Sequence, residues 1–316
     1  MQSALVLLST LFVMGLGASY APAQQPSSGP QSDQLAKTEQ APSAGALYDQ
    51  LLEKGIGPIG ERYYPIASPS VAGKSEDERL AAAQEVSGRI GWKRFSKDSI
   101  FAPVAINIES IKNDAGQKVA HRIHCAFVVY GQLEELKNQE LLENILLAST
   151  KEDNTESQAG SSDDPDGQEL SQQQLRAAGV DPESETETFA KIGFALFNRV
   201  KVSGVIRADR VELADAVGAA WQFDSRFVGE LAGQWRRLSK NNLGAPVVGE
   251  PNNYTGCGGL MLVQTIDSER LLVESMMVMH EPPEWFNGSQ FLRSKLPSGM
   301  QENARSFRRK LEQSRK

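Results

Sequence analysis

FAKIGFALFNRVKVSGVIRA, residues 189–208, alternates apolar and other side chains for most of its length. Ala190, Ile192, Phe194, Leu196, Val200, Val202 and Ile206 share one parity. Successive side chains of a strand point to opposite faces, so this pattern predicts β-structure with one buried face. The run reads as one long bent strand or as two strands with a kink near Asn198 or Gly204.

Two more stretches read the same way. In FAPVAINIES (101–110) the apolar positions are Val104, Ile106 and Ile108. In VAHRIHCAFVVY (119–130) they are Val119, Ile123, Cys125, Phe127 and Val129. Asn113–Gly116 between them is good turn chemistry, so the pair predicts an antiparallel hairpin, with Glu109, Arg122 and His124 on its other face. GGLMLVQTI (258–266) and RLLVESMMVMH (270–280) predict another, turning at Asp267–Glu269. Helical spacing marks 44–54, and Ser75 with three acids behind it predicts an N-cap for a helix that stops at Gly88. LEELKNQELLENILL (133–147) and Ser298–Arg315 also read as helices. Strands without βαβ alternation imply an α+β fold: a curved antiparallel sheet built from hairpins, packed by several helices including a C-terminal one.

The ends and the charge divide the chain. Ala4–Ala18 is a short apolar run, too short to span a bilayer, and Ala21-Pro22-Ala23 supplies a cleavage pattern. Residues 1–23 therefore read as a signal peptide, although no Lys or Arg precedes the apolar run. Residues 24–43 are rich in Gln, Ser, Pro and Gly and read as a disordered leader. The chain has a net charge of −7, but Lys151–Glu187 holds 11 acids against two bases. The rest is nearly neutral, which argues against a nucleic-acid partner. Residues 44–316 thus form one domain, interrupted by an acidic low-complexity insertion at about 149–187. The reading is of an exported protein, periplasmic or extracellular, with no membrane span after cleavage.

Several motifs are refused. GIGPIG (55–60) has the spacing of a dinucleotide fingerprint, but a helix precedes it and Pro58 sits inside it, so it reads as a helix cap and a turn. HRIHC (121–125) would need a helix to bring His121 and His124 together. On a strand His121 and Cys125 share a face, and only a set with His280 is geometrically open. SSDDPDGQEL (161–170) echoes a calcium loop but lacks the first Asp and the last Glu. Asn253 and Asn287 head sequons from which nothing is drawn. No catalytic, cofactor-binding or metal residue is assigned. Cys125 and Cys257 permit a disulfide in an exported chain. Trp285 and Phe286, in HEPPEWFNGSQFLRSKLP (280–297), read either as an aromatic contact platform or as a plug anchoring the C-terminal helix, the plug being favoured.

YDQLLEKGI (48–56), CAFVVYGQLEEL (125–136), RVKVSGV (199–205), EPPEWFNGSQFLRSKLP (281–297) and RSFRRKL (305–311) carry a resemblance to a family of secreted proteins of unknown function from planctomycete bacteria. The resemblance implies export and a single fold, and brings no activity, cofactor or catalytic residue. The leading functional reading is a non-enzymatic binding or structural protein of unidentified partner. The alternatives are an extracytoplasmic hydrolase using Asp or Glu, and a carrier of a small apolar molecule.

Overall fold

The computed structural model describes residues 45–59, 61–137, 168–184, 186–286 and 290–315. The stretches expected to be a signal peptide and a leader, residues 138–167 and the sequon at Asn287 lie outside them. The alternating run at 189–208 is a hairpin. Strands β6 (Glu187–Leu196) and β7 (Val200–Glu212) pair antiparallel, with Ala190 opposite Ile206 and Phe194 opposite Val202. Partners share a face, so the even residues of both strands form one apolar surface. The chain reverses at Phe197 and Asn198, both at φ 53°. Two successive left-handed residues match the twist of the flanking strands, which is why such turns close hairpins. The bend near Asn198 is therefore a full reversal.

β3 (Ala105–Lys112) and β4 (Lys118–Tyr130) form the expected hairpin, as do β12 (Cys257–Thr265) and β13 (Arg270–His280). One expectation changes: β4 is buried on both faces, since Ala120, Ala126 and Val128 are as inaccessible as Ile123. With β8 (Ala216–Phe223), β9 (Gln234–Lys240) and β10 (Pro246–Val248), the path across the large antiparallel sheet is β10-β9-β7-β8-β12-β13-β4-β3. β5 (Gln168–Glu169) pairs β6, and β11 (Asn252–Asn253) pairs β9. β7 changes neighbour along one side, from β9 at Val200–Ser203 to β8 at Ile206–Glu212. Gly204 sits at the change, at φ 153°, where a Cβ would lie 2.8 Å from the Gly233 Cα. No other residue fits that approach.

Helices cover both faces. On the convex face lie α1 (Ala46–Lys54), α2 (Glu76–Ser87) and α3 (Trp92–Phe95). Ser75 begins α2 as expected: its N–H and hydroxyl both donate to the Glu78 carboxylate. GIGPIG differs from its reading. Gly55 does cap α1, but Ile56–Ile59 is a short strand, β1, paired with β2 (Arg62–Tyr64). From sequence the centre of the acidic insertion, about 168–178, reads as a short helix, and a helix is found there. α5 (Gln172–Ala177) starts at a capping box between Ser171 and Gln174, and Leu170, Leu175 and Val180 pack on Phe189, Val205 and Phe227. Three well-spaced apolar residues suffice to dock a polar segment.

The concave face is closed by α6 (Phe291–Gln313), helped by α4 (Leu133–Lys137). α6 begins seven residues before its expected start and carries Pro297 through its first turns. Pro297, its seventh residue, lies past the first turn and forgoes one internal bond, and the buried Leu292 and Leu296 hold the helix against the core there.

Gly204→Ala should cost about 2–4 kcal/mol in urea unfolding, from backbone strain plus overlap with Gly233. Gly116→Ala, in an open turn, should cost about 1 kcal/mol. Equal costs would show that the strand junction tolerates a side chain.

Candidate functional site

Two apolar clusters fill the space between the sheet and α6. One gathers Ile108, Ile123, the even face of β6 and β7, Trp285, Phe286, Leu292 and Leu296. The other gathers Val104, Phe127, Val129, Val263, Val273, Ala304, Phe307 and Leu311. Only Ile106 and Met300 pack against both.

Where the two clusters meet, a single row of residues crosses six strands, with Cys125 and Met261 belonging to the second cluster and Ala219 to the first. Strand register places Ile106, Cys125, Ser275, Met261, Ala219 and Arg210 side by side. Every member keeps some contact with solvent. Ile106, Ser275 and Arg210 are partly exposed, and Cys125, Met261 and Ala219 retain 6 %, 7 % and 4 %. The convex face of the same strands is sealed: Leu260, Leu262 and Leu272 are at 0 %. The row runs about 24 Å across the sheet, five strand spacings, and makes a candidate trough beneath α6. Met277 and Met300 border it, and Gly259 adds no side chain beside Met277. At one end the Arg210 guanidinium donates to the Lys137 carbonyl at 3.3 Å and pairs with Glu212.

The trough is largely apolar. Its polar members are the Ser275 hydroxyl, the Cys125 thiol and Arg210. Burial pushes the Cys125 thiol up to about 12, against the opposing pull of Arg308, so it stays protonated and unreactive. Cys257 is also a buried free thiol. The permitted disulfide is not formed, and register explains why. Cys125 stands opposite Ser275, Cys257 opposite Met279, and their strands flank β13 on opposite sides. Their Cα atoms are thus roughly 16 Å apart, far beyond bridging distance.

The histidines also separate. His121 faces α6, and its Nε2 pairs with Glu281, which Lys118 bonds at 2.7 Å. His124 is on the opposite face, 2.7 Å from Glu274. His280 meets Thr255 through Nδ1 and stacks on Tyr254. Among the described residues no group of three His, Cys, Asp or Glu is placed to hold a metal.

Buried carboxylates act as docking points. Glu274 accepts from the Ser70 N–H at 2.9 Å, the Ser70 hydroxyl, His124 and the Gln264 amide. Burial alone would raise its pKa, but these donors outweigh it and hold the carboxyl below its ordinary range. Gln264 in turn accepts from the Val71 and Ala72 N–H groups. Asp209 accepts from the Leu47 N–H in the first turn of α1, and Gly45 leaves it room. These bonds fasten the N-terminal elements to the convex face.

Trp285 and Phe286 are both buried, Trp285 stacked on Tyr254 with ring centroids 5.4 Å apart and Phe286 stacked on Phe291. They fill the end of the concave face that the helix does not reach. The trough residues Met261, Ser275, Arg210 and Met300 were not singled out by sequence. One signal pointed there: in RLLVESMMVMH the polar pair Glu274-Ser275 interrupts a strand buried on both faces. One member serves each face.

No protein-family model matches this chain, and no curated protein matches it. Among solved structures it is similar to a fragment, residues 25–204, of a STAR-related lipid transfer protein from Xanthomonas axonopodis. The identity is 11% and the TM-score 0.36, covering 67% of this chain and 96% of that one. It is also similar to human STARD10, at 12% identity and TM-score 0.21, covering 75% of this chain and 82% of that one. Neither likeness bears on the reading below. Among the described residues no helix is long and apolar enough to cross a membrane.

Two outcomes follow. Trp285→Ala should cost about 3–5 kcal/mol in chemical unfolding; a negligible cost would place the ring outside the core. Burial, opposed by Glu284 and Glu281, lowers the His280 pKa from 6.5 to about 4. The unfolded chain then binds a proton that the folded chain refuses, so this stabilisation is complete above pH 6.5 and lost as pH falls towards 4. Urea titrations of His280→Asn should show a flatter stability profile across that window. An unchanged slope would mean that the folded imidazole already takes up the proton.

Proposed function

We propose that this protein is a non-enzymatic binder of a small apolar molecule, which lies in the trough between the sheet and α6. One arrangement carries the reading: a continuous row from Ile106 to Arg210, partly exposed at Ile106, Ser275 and Arg210, where two packed clusters meet. Three methionines, Met261, Met277 and Met300, lie on or beside that row. Flexible thioether side chains repack around ligands of different shape, which suits a carrier. The buried carboxylates Glu274 and Asp209 are engaged in fastening N-terminal segments, which supports a binding role over hydrolysis. Export from the cytoplasm, and kinship with the planctomycete secreted family, belong to the same proposal and rest on the N-terminal and motif readings.

The test is a titration of the purified chain with N-phenyl-1-naphthylamine, a neutral apolar fluorophore. Saturable binding near one per chain is the expected result. Ala219→Leu should fill the trough, abolish that binding and leave the melting temperature unchanged or higher. If the space is already packed, wild type binds no dye and the larger side chain costs about 1–3 kcal/mol.

A further inference from the structure

The hairpin of β9 and β10 projects a surface of a different kind. Its tip, Asn241–Ala245, is a built turn: the Gly244 N–H donates to the Asn241 carbonyl, and the Asn241 side chain accepts from the Leu243 and Ala245 N–H groups, each at 2.9 Å. This turn holds Leu243 outward with 91 % of its surface exposed. Val247 and Val248 follow at 42 % and 50 %. These are three of the most exposed large apolar residues among those described, and they lie within six positions. An apolar side chain fixed outward by hydrogen bonds gains nothing from the fold of its own chain.

The hairpin itself carries cations alone, with Glu230 and Glu250 at its borders. From Leu231 to Gly249 the sequence holds Arg236, Arg237 and Lys240 and no acid, in a chain of net charge −7. Pairing sorts these cations. Val248 stands opposite Leu238 and Pro246 opposite Lys240, while Arg236 stands opposite Lys201 on β7. Alternation puts Lys201, Arg236, Leu238, Lys240 and Val248 on one face of the hairpin. Arg237 points the other way and donates to the Glu284 carbonyl. The face therefore combines a basic row with exposed apolar side chains that end at Leu243.

We infer that this hairpin is a membrane-docking element, which inserts Leu243 and Val248 into an anionic lipid surface while Arg236 and Lys240 meet the headgroups. A lipid bilayer supplies both chemistries at one boundary: anionic charge at the surface and hydrocarbon a few ångströms beneath. A nucleic acid supplies only the charge. The inference does not depend on the trough, and each stands if the other fails.

The experiment is co-sedimentation of the chain with vesicles of phosphatidylcholine alone and of equal parts phosphatidylcholine and phosphatidylglycerol. Binding is expected only to the anionic vesicles, falling as salt rises to about 0.5 M. Lys240→Glu should weaken it about fivefold or more. Leu243→Asp should reduce it at least as far, with no change in melting temperature, because the side chain is outside the core. Leu243→Trp should bind and show a blue-shifted emission relative to the wild-type spectrum on the anionic vesicles alone. The inference is overturned if wild type ignores anionic vesicles, or if Leu243→Asp binds them as well as wild type does. The first result would leave a protein partner for the tip, and the second would place any lipid contact elsewhere.

Discussion

A single helix has to close the concave face of a large curved sheet. α6 has 23 residues and is therefore about 34 Å long, but only about 10 Å wide. β4 and β13 alone run for 13 and 11 residues beneath it, roughly 40 Å of strand. The helix cannot cover that area, and much of the concave side is an answer to this mismatch. Beside its N-terminal end the rings of Trp285 and Phe286 fill the remaining space. Near its C-terminal end Leu133 and Leu136 of α4 do the same. The helix is fixed there by Arg308, whose guanidinium donates to the carbonyls of Val128, Ile100 and Ala102 and lies over the Phe127 ring. Burial pulls that guanidinium down to about 10, against a small opposing contribution from Cys125. Three carbonyls, reached by Nε and Nη1, and an aromatic face replace part of the water it loses, while Nη2 is buried without a partner. Fastened at both ends over a curved surface, the helix carries Met300 in its middle, where the two clusters meet.

The convex face meets the opposite demand. Its central strands are buried there too, so each polar side chain on that face needs a partner from the elements that cover it. Glu274, Gln264 and Asp209 find theirs in the backbone of Leu47, Ser70, Val71 and Ala72. Residues far apart in the chain are joined in this way, and the N-terminal segments become part of the same folding unit. The two faces thus differ in kind. One is sealed and fastened by hydrogen bonds, the other is apolar and incompletely filled.

Much of this was legible in the sequence where a single period dominates. The parity of 190–206 and the Ser75 cap were readable because one side of each element carries polar residues, and the two hairpins because turn residues at Asn113–Gly116 and Asp267–Glu269 separate strand-like runs. β8 was not, because AVGAAWQF is buried on both faces and shows no alternation. The start of α6 was misplaced because Pro297 falls inside the helix, where packing of Leu292 and Leu296 carries the helix through it. The trough lay outside sequence reasoning altogether. Its members sit on six strands, and only the register of five pairings makes them neighbours. Cys125 and Cys257 failed to meet for the same reason: their separation is a property of register, which spacing in the chain does not reveal.

The central claim is that the row through Ser275 is open to an apolar ligand while the rest of the core is not. The chain carries its own reporters. Met261, Met277 and Met300 lie along the trough, whereas Met276 faces the sealed side and Met279 is buried deeper in the concave core. Labelling the methionine methyl groups with carbon-13 and titrating with decane would test it directly. The account predicts saturable shifts at Met261, Met277 and Met300, with Met276 and Met279 nearly still. Shifts absent from the first three, or equal at all five, would contradict it.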